Sequence, residues 1–479
     1  MQKLLFSLLS VSLFYYSNAQ TEIDALRYSK TDIMGTARFS AMAGAYGGLG
    51  ADFTALSYNP AGIGFYQFSE LTFTPSIFNN TATSYFAGEK NTDESMRFNF
   101  SNLGYVVSSP KNDKQWKRIN MAFGYNRLAN YKNRTYINGY NSNSSLIDHF
   151  VANANTQGVT NNLNSFAELL AWNTYLFDPI DTIDNGNYIS NLNSGLSKRQ
   201  EKIIESNGNS GEYVFTIGTS FEDKIYLGAT IGMPNIDYRE KSTYTESEFV
   251  DTAAHLQSFE YHEEFSTSGN GFNLKIGAIA RLNDWIKVGG ALHSPTFYEM
   301  EDEYSTDIRA NWNDTLGAKY DASPFGYFNY ELKTPWKAIG SIAINIKKQG
   351  LITADIEMID YASAKFNSDT EKFTEVNKLI GTTYQKATNI RLGGELKYKP
   401  FRIRGGYALY GSPYKENAEL ERKSYTFGLG VDRGHFIVDF AYVLFEGSDE
   451  HFMYSSDLIG PATLVSTTHH FLFTLGLRY

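Results

Sequence analysis

The stretch LGGELKYKPFRIRGGYALY, residues 392–410, decides how the chain is read. Beyond Lys399-Pro400, the apolar Phe401, Ile403, Tyr407 and Leu409 alternate with Arg402, Arg404 and Ala408. Before it, Glu395 and Lys397 sit at every second position, in step with Arg391 just upstream. Period-2 alternation marks a strand with unlike faces, and two such runs around a two-residue link make an antiparallel hairpin. Each run is about ten residues long, the length a tilted strand needs to cross a bilayer.

The pattern recurs along the chain. Ile225, Leu227, Ala229, Ile231 and Met233 share one face. Ile352, Ala354, Ile356 and Met358 oppose Thr353, Asp355 and Glu357, and Phe471, Phe473, Leu475, Leu477 and Tyr479 close the chain on one side. Fourteen strands are predicted, near residues 67–79, 96–108, 118–135, 212–221, 224–233, 270–282, 285–293, 336–346, 351–360, 388–398, 401–410, 422–431, 435–445 and 468–479. Very short links such as Glu222-Asp223, Asn283-Asp284 and Lys399-Pro400 alternate with long ones at 136–211, 234–269, 294–335, 361–387 and 446–467. An even strand number, with tight turns at one end and long loops at the other, describes an all-β fold: an antiparallel transmembrane β-barrel without open edges. A soluble β-sandwich explains neither the alternating loop lengths nor the aromatic terminus. In a barrel, Arg391, Glu395, Lys397, Arg402, Arg404, Asp355, Glu357, Asp439, Arg281 and Lys275 point into the lumen, where pairing across neighbouring strands is their first role.

The 479 residues include no Cys, 34 Tyr and 34 Phe, with a formal net charge of −10. Disulfides and thiolate metal sites are thereby excluded. The acidic balance and the lack of a basic stripe argue against nucleic acid. Residues 1–19 read as a secretory signal peptide: Lys3, an apolar run from Leu4 to Tyr16, and Ser17-Asn18-Ala19 before Gln20. No later stretch has the eighteen or more apolar residues of a helical span.

Residues 20–66 lack strand alternation and are rich in Ala and Gly, which let a backbone pack closely against a wall. We expect a small N-terminal hatch plugging the lumen, so that the chain divides into signal peptide (1–19), hatch (20–66) and barrel (67–479). Its last turn is Asn59-Pro60-Ala61, within LSYNPAGIGFY (56–66). Asn-Pro favours turn initiation and Pro60 fixes its own φ, while Asn59 can bond the wall or its own backbone.

The run ARFSAMAGAYGGLGADFTALSYNPAGIGFY (37–66) resembles the hatch of the FadL family of outer-membrane transporters of hydrophobic compounds. Further matches are HSPTF (293–297), TPWKAIGSIAI (334–344), ADIEMIDYA (354–362) and residues 392–414, in a style similar to Bacteroidetes-type members. The resemblance implies a fourteen-stranded barrel with an Asn-Pro-Ala hatch motif, here Asn59, Pro60 and Ala61. It also implies ligand capture among the outer loops and lateral escape through a kinked third strand. In this chain the alternation of Ile119, Met121, Phe123 and Tyr125 breaks at Asn126-Arg127, the candidate kink, although a strand leaving the bilayer at its rim would look the same. The family's prominent apolar loops are the third and fourth, whereas the longest here is the second. In it, SFAELLAWNTYLF places Phe166, Leu169, Leu170 and Leu176 on one helical face, over the barrel mouth. That helix either lines the way in for ligand or covers the rim, and covering is favoured because apolar stripes at helical spacing usually serve packing.

Other signals carry less. Gly44 to Gly50 fit no phosphate-binding motif. Adjacent His469 and His470 on a strand face opposite ways and cannot clamp one metal. Acidic stretches near 240–251 and 299–303 read as solvated loop faces. The resulting expectation is a passive, non-enzymatic channel in the outer membrane of a Gram-negative cell. It needs neither cofactor nor metal, acts as a monomer, is inserted by the barrel-assembly machinery, and carries hydrophobic compounds, long-chain fatty acids first. An interaction protein of a secretion system is the alternative, and a haem receptor, which needs a longer plug, ranks below both.

Overall fold

The alternating segments form a closed ring. In the computed structural model, which describes residues 20–181, 184–192, 195–250, 255–347, 349–416 and 421–479, fourteen strands make up the wall. The signal-peptide reading falls on residues 1–19, outside the described residues. The strands are β1 (Glu70–Phe86), β2 (Glu89–Pro110), β3 (Trp116–Asn130), β4 (Lys198–Phe221), β5 (Ile225–Ser247), β6 (Leu256–Arg281) and β7 (Ile286–His293). They continue as β8 (Lys337–Ile346), β9 (Gly350–Asp360), β10 (Lys386–Tyr398), β11 (Phe401–Tyr410), β12 (Arg422–Asp432), β13 (Phe436–His451) and β14 (Ala462–Arg478). Each pairs antiparallel with the next, and β14 returns to β1 from Glu70↔Arg478 to Tyr85↔Thr463. The fourteen strands expected from alternation are all present.

The apolar face looks outward. Ile352, Leu396, Ile403 and Leu475 expose about half or more of their surface, as a belt of this size does only against lipid. Trp285, Tyr398, Phe436 and Tyr479 cluster beside the short turns and form an aromatic girdle there. No described helix is long and apolar enough to cross a membrane. The fold is an outer-membrane-type β-barrel.

The expected long loops need correcting. Much of 136–211, 234–269 and 294–335 is strand: β4, β5 and β6 run for 24, 23 and 26 residues, and a further strand, Phe297–Trp312, pairs with the upper part of β6. The acidic stretches near 240 and 300 lie on these strands rather than on loops. Most of their charges, such as Glu299, Glu301 and Glu303, lie on the more open face, while Tyr238, Tyr244, Tyr298 and Met300 on the other face are buried together with Glu246 and Asp302. Charge density resembling loop composition hid a period-2 pattern. The wall therefore extends beyond the bilayer as an external cap around an apolar cluster that includes Phe86, Ile137, Phe150, Phe177 and Phe259.

Inside the wall the polar faces pair. Arg391 bonds Glu357 at 2.8 Å, and Arg404 bridges Glu395 and Asp439 at 2.8 and 2.6 Å. Lys275 and Glu212 pair out of contact with solvent. Arg281 differs from the expectation: it sits at the β6–β7 turn, partly exposed, and pairs with Asp284.

Candidate functional site

Residues 20–66 run inside the barrel. Their polar backbone groups cannot reach bulk water there, so wall side chains supply the partners. Ala37 N donates to Thr474 Oγ1 on β14, and Gly47 N to Asp355 Oδ2 on β9. The carbonyl of Ala41 accepts from Thr426 on β12, that of Leu56 from Thr230 on β5, and that of Tyr58 faces His293 Nε2 on β7 at 2.7 Å. Asn120 on β3 donates to the carbonyls of both Ile63 and Tyr66. Six wall strands hold one segment.

Asn59-Pro60-Ala61 lies at the tightest of these contacts. Asn59 is fully buried and caps the 3-10 helix Pro60–Phe65, its Oδ1 accepting from Ala61 N at 3.1 Å. Its Nδ2 donates to Gly47 O at 2.6 Å and reaches Ala278 O on β6 at 3.4 Å. Pro60 occupies the first helical position, where its missing N–H costs nothing. The wall has no side chain here: a Cβ on Gly277 would stand 1.9 Å from Asn59 Oδ1, and one on Gly228 would stand 2.2 Å from Pro60 O. The motif is thus a turn, a cap and a wall contact at once.

The amino-terminal part reaches the outer half of the lumen. Helix α1 (Glu22–Ser29) is capped by Thr21 and buries Ala25, Leu26 and Tyr28 among Tyr238, Tyr298, Tyr330 and Phe373. Gln20 Nε2 donates to Asp302 Oδ2 at 2.6 Å, and Thr267 and Tyr330 donate to the same carboxylate. Burial pushes Asp302, on the external strand Phe297–Trp312, up to about 7. Within the segment itself, burial likewise pushes Asp52 up to about 6, against the opposing pull of Arg38 and the Thr36 hydroxyl.

Asn126-Arg127 marks a break in the wall. Pairing of β2 with β3 ends at Asn102↔Asn126, and β3 slips register against β4 between Arg127 and Ala129. Residues 133–141 continue along β4 but lie against the inner side of the β1–β2 hairpin, where Ser84 Oγ donates to Tyr136 O and Asn80 Nδ2 to Asn133 Oδ1. The outer half of β2 therefore has a ladder with β1 on one edge and, among the described residues, none on the other. Side chains cross this seam instead: Arg127 Nε donates to Phe100 O at 3.0 Å and Arg97 Nη1 to Gly208 O at 3.2 Å. The N-terminal segment is attached at the same place. Asn126 Nδ2 donates to Ser57 Oγ at 2.9 Å, and the carbonyl of Leu128, the residue skipped by the bulge, accepts from Asp32 N at 2.8 Å.

Two lumen cavities flank the segment near that attachment. One, of about 60 Å³, is polar and holds Lys275, His293, Lys337 and Glu357 beside Leu128. The other, of about 230 Å³, is bounded by Ile33, Met34, Phe78, Phe445 and Val443 together with Asn130, Arg422 and His470. An apolar cavity of about 150 Å³ accepts benzene, so the second is of ligand size.

The predicted outer helix is shorter than its apolar spacing suggested. Helix α2 is Ala37–Ala41 in the lumen, and the external cap carries α3 (Leu146–Gln157) and α4 (Glu168–Asn173). Leu169 and Leu170 lie on α4, while Phe166 precedes it and Leu176 follows it. Leu170 and Leu176 are buried in the apolar cluster of the cap, Leu169 packs on it, and Phe166 meets Tyr304 with ring centres 4.7 Å apart. These four residues belong to the external cap. Ser145, capping α3, had no sequence reading; its partner Glu246 comes from β5, 101 residues away.

No protein-family model matches the chain, and no curated protein sequence matches it. Its fold is similar to that of the toluene transporter TodX of P. putida, at 11% identity over 94% of this chain and 99% of that one, with a TM-score of 0.53. The toluene transporter TbuX of Ralstonia pickettii aligns at 12% identity over 93% and 99% (TM-score 0.52), and a FadL homologue of Pseudomonas aeruginosa at 12% over 94% and 99% (TM-score 0.53). At such identities the likeness shows a shared fold.

Proposed function

We propose that this barrel is a passive channel for hydrophobic compounds, of the FadL type and of its Bacteroidetes-type branch, with residues 20–66 as the hatch. The observation that carries the reading is the coincidence of three features at one place. The wall ladder stops between β2 and β3, the N-terminal segment is tied to the bulged residue there, and a ligand-sized cavity adjoins both. Cargo captured at the external cap passes α1, rests in the lumen and leaves sideways through the seam when the segment lets go of β3. The toluene transporters and the FadL homologue that share the fold support a hydrophobic cargo, and a long-chain fatty acid is the first substrate to test. A passive route of this kind needs no covalent chemistry and no cofactor.

The test is uptake of labelled long-chain fatty acid by cells deprived of their own channel. Uptake restored by this protein, and lost in a correctly inserted Asn59→Ala variant, supports hatch-gated transport. A heat-modifiable, inserted wild-type barrel that restores none removes fatty acid as cargo.

A further inference from the structure

Buried polar atoms without partners gather along the β2–β3 seam. They include Asn99 Nδ2, Arg127 Nη1, Asn130 Nδ2 and His470 Nε2. Asn99 and His470 are each 3% exposed. Three of the four atoms are donors, and a buried donor without an acceptor forfeits the hydrogen bond it would make to water. Two guanidiniums add charge to this surplus. Arg97 and Arg127 bond backbone carbonyls across the seam, and among the described residues neither forms an ion pair. Elsewhere in the barrel Lys275, Arg391 and Arg404, three buried cations, face carboxylates. Half-buried cations that lack a counter-charge are poised for an anion.

We infer that the seam is an oxyanion subsite: Arg97 and Arg127, with Asn99 beside them, take the carboxylate or phosphate of an amphiphile whose apolar part occupies the adjoining cavity. The geometry is consistent at each step. Arg97 is the cross-strand partner of Phe78, and Phe78 lines the 230 Å³ cavity with His470, to which its ring lies edge-on at 5.7 Å. Outward of the same strand, Phe98 and Phe100 are half exposed or more to the lipid side. An anionic head between the two guanidiniums would replace the carbonyl contacts that now bridge the seam, so binding there also loosens the bridge between β2 and β4. The inference rests on the channel reading for its biological sense, although the subsite can be measured without transport.

The test compares decanoate with decanol, equal chains with and without a charge, bound to the full-length barrel in dodecyl maltoside at pH 8. A preference for decanoate of about ten-fold or more is expected, from two charge-assisted contacts. It should collapse to about one in Arg97→Ala/Arg127→Ala, return in part in Arg97→Lys/Arg127→Lys, and fall in the near-isosteric Asn99→Asp. Heat-modifiable migration verifies that each variant is folded. Equal affinity in the wild type, or a preference that survives the double alanine variant, overturns the subsite. Adding phosphatidylglycerol separates the two sources of the head group. If it displaces decanoate, the phosphate of a bilayer lipid is the resident; if it does not, the resident is a free carboxylate amphiphile. Loss of cellular uptake with the decanoate preference intact refutes transport and keeps the subsite, and normal uptake without any preference does the reverse.

Discussion

Asn59 satisfies three backbone groups with one amide, and its neighbours on the wall are glycines. Removing that amide in Asn59→Ala leaves the buried carbonyl of Gly47 without its donor and deletes the cap of a 3-10 helix. The expected cost is about 1–2 kcal/mol. The loss is local to the segment, because the wall ladders do not involve Asn59. Limited proteolysis should therefore cut within residues 20–66 more readily while the barrel keeps its heat-modifiable migration. Gly277→Ala tests the same contact from the other side. Its Cβ overlaps Asn59 Oδ1 and must push the turn inward, so the proteolytic pattern should match that of Asn59→Ala. An intact, protease-resistant segment in Gly277→Ala contradicts the close approach.

Helix α1 and the strand Phe297–Trp312 meet through Gln20 and Asp302. Burial raises Asp302 from its ordinary 3.8 to about 7. A carboxyl whose folded value is raised contributes stability that is complete below the unfolded value and is lost as pH rises through the folded one. The seat of α1 should thus be firm near pH 5 and loosen by pH 8. Hydrogen exchange of residues 22–29 checks this: protection should fall across that interval in the wild type and stay level in Asp302→Asn. Equal slopes in both proteins remove Asp302 as the cause.

At the scale of the whole molecule, the interior segment and the wall form a single hydrogen-bonded assembly, and transport requires part of it to come apart. The chain contains no cysteine, so a designed pair has no competitor. Asp32 N donates to Leu128 O, a backbone contact that brings the two residues about as close as a disulfide demands. Asp32→Cys/Leu128→Cys should cross-link under oxidation, block uptake, and recover on reduction. Uptake unaffected by a verified cross-link shows that this attachment need not open.

Much of the molecule is legible in its residues. Strand existence was, because a bilayer demands a strict two-residue period and a fixed length from every segment that crosses it. Residues 401–410 and 351–360 carry that demand openly. The break at Asn126-Arg127 also shows as a fault in alternation, and the structure places the register slip there. What lies beyond the bilayer was not legible, since strands such as Leu256–Arg281 leave a medium that enforces apolarity on one face and enter one that does not. Tertiary structure decided the rest. The partners of Asn59 come from residues 47 and 278, and the polar atoms stranded at the seam become a group only where β2 and β3 part. A strand's own sequence records which medium each face meets, but an unpaired edge and a cation without a counter-charge exist only in relation to chain that is distant in sequence.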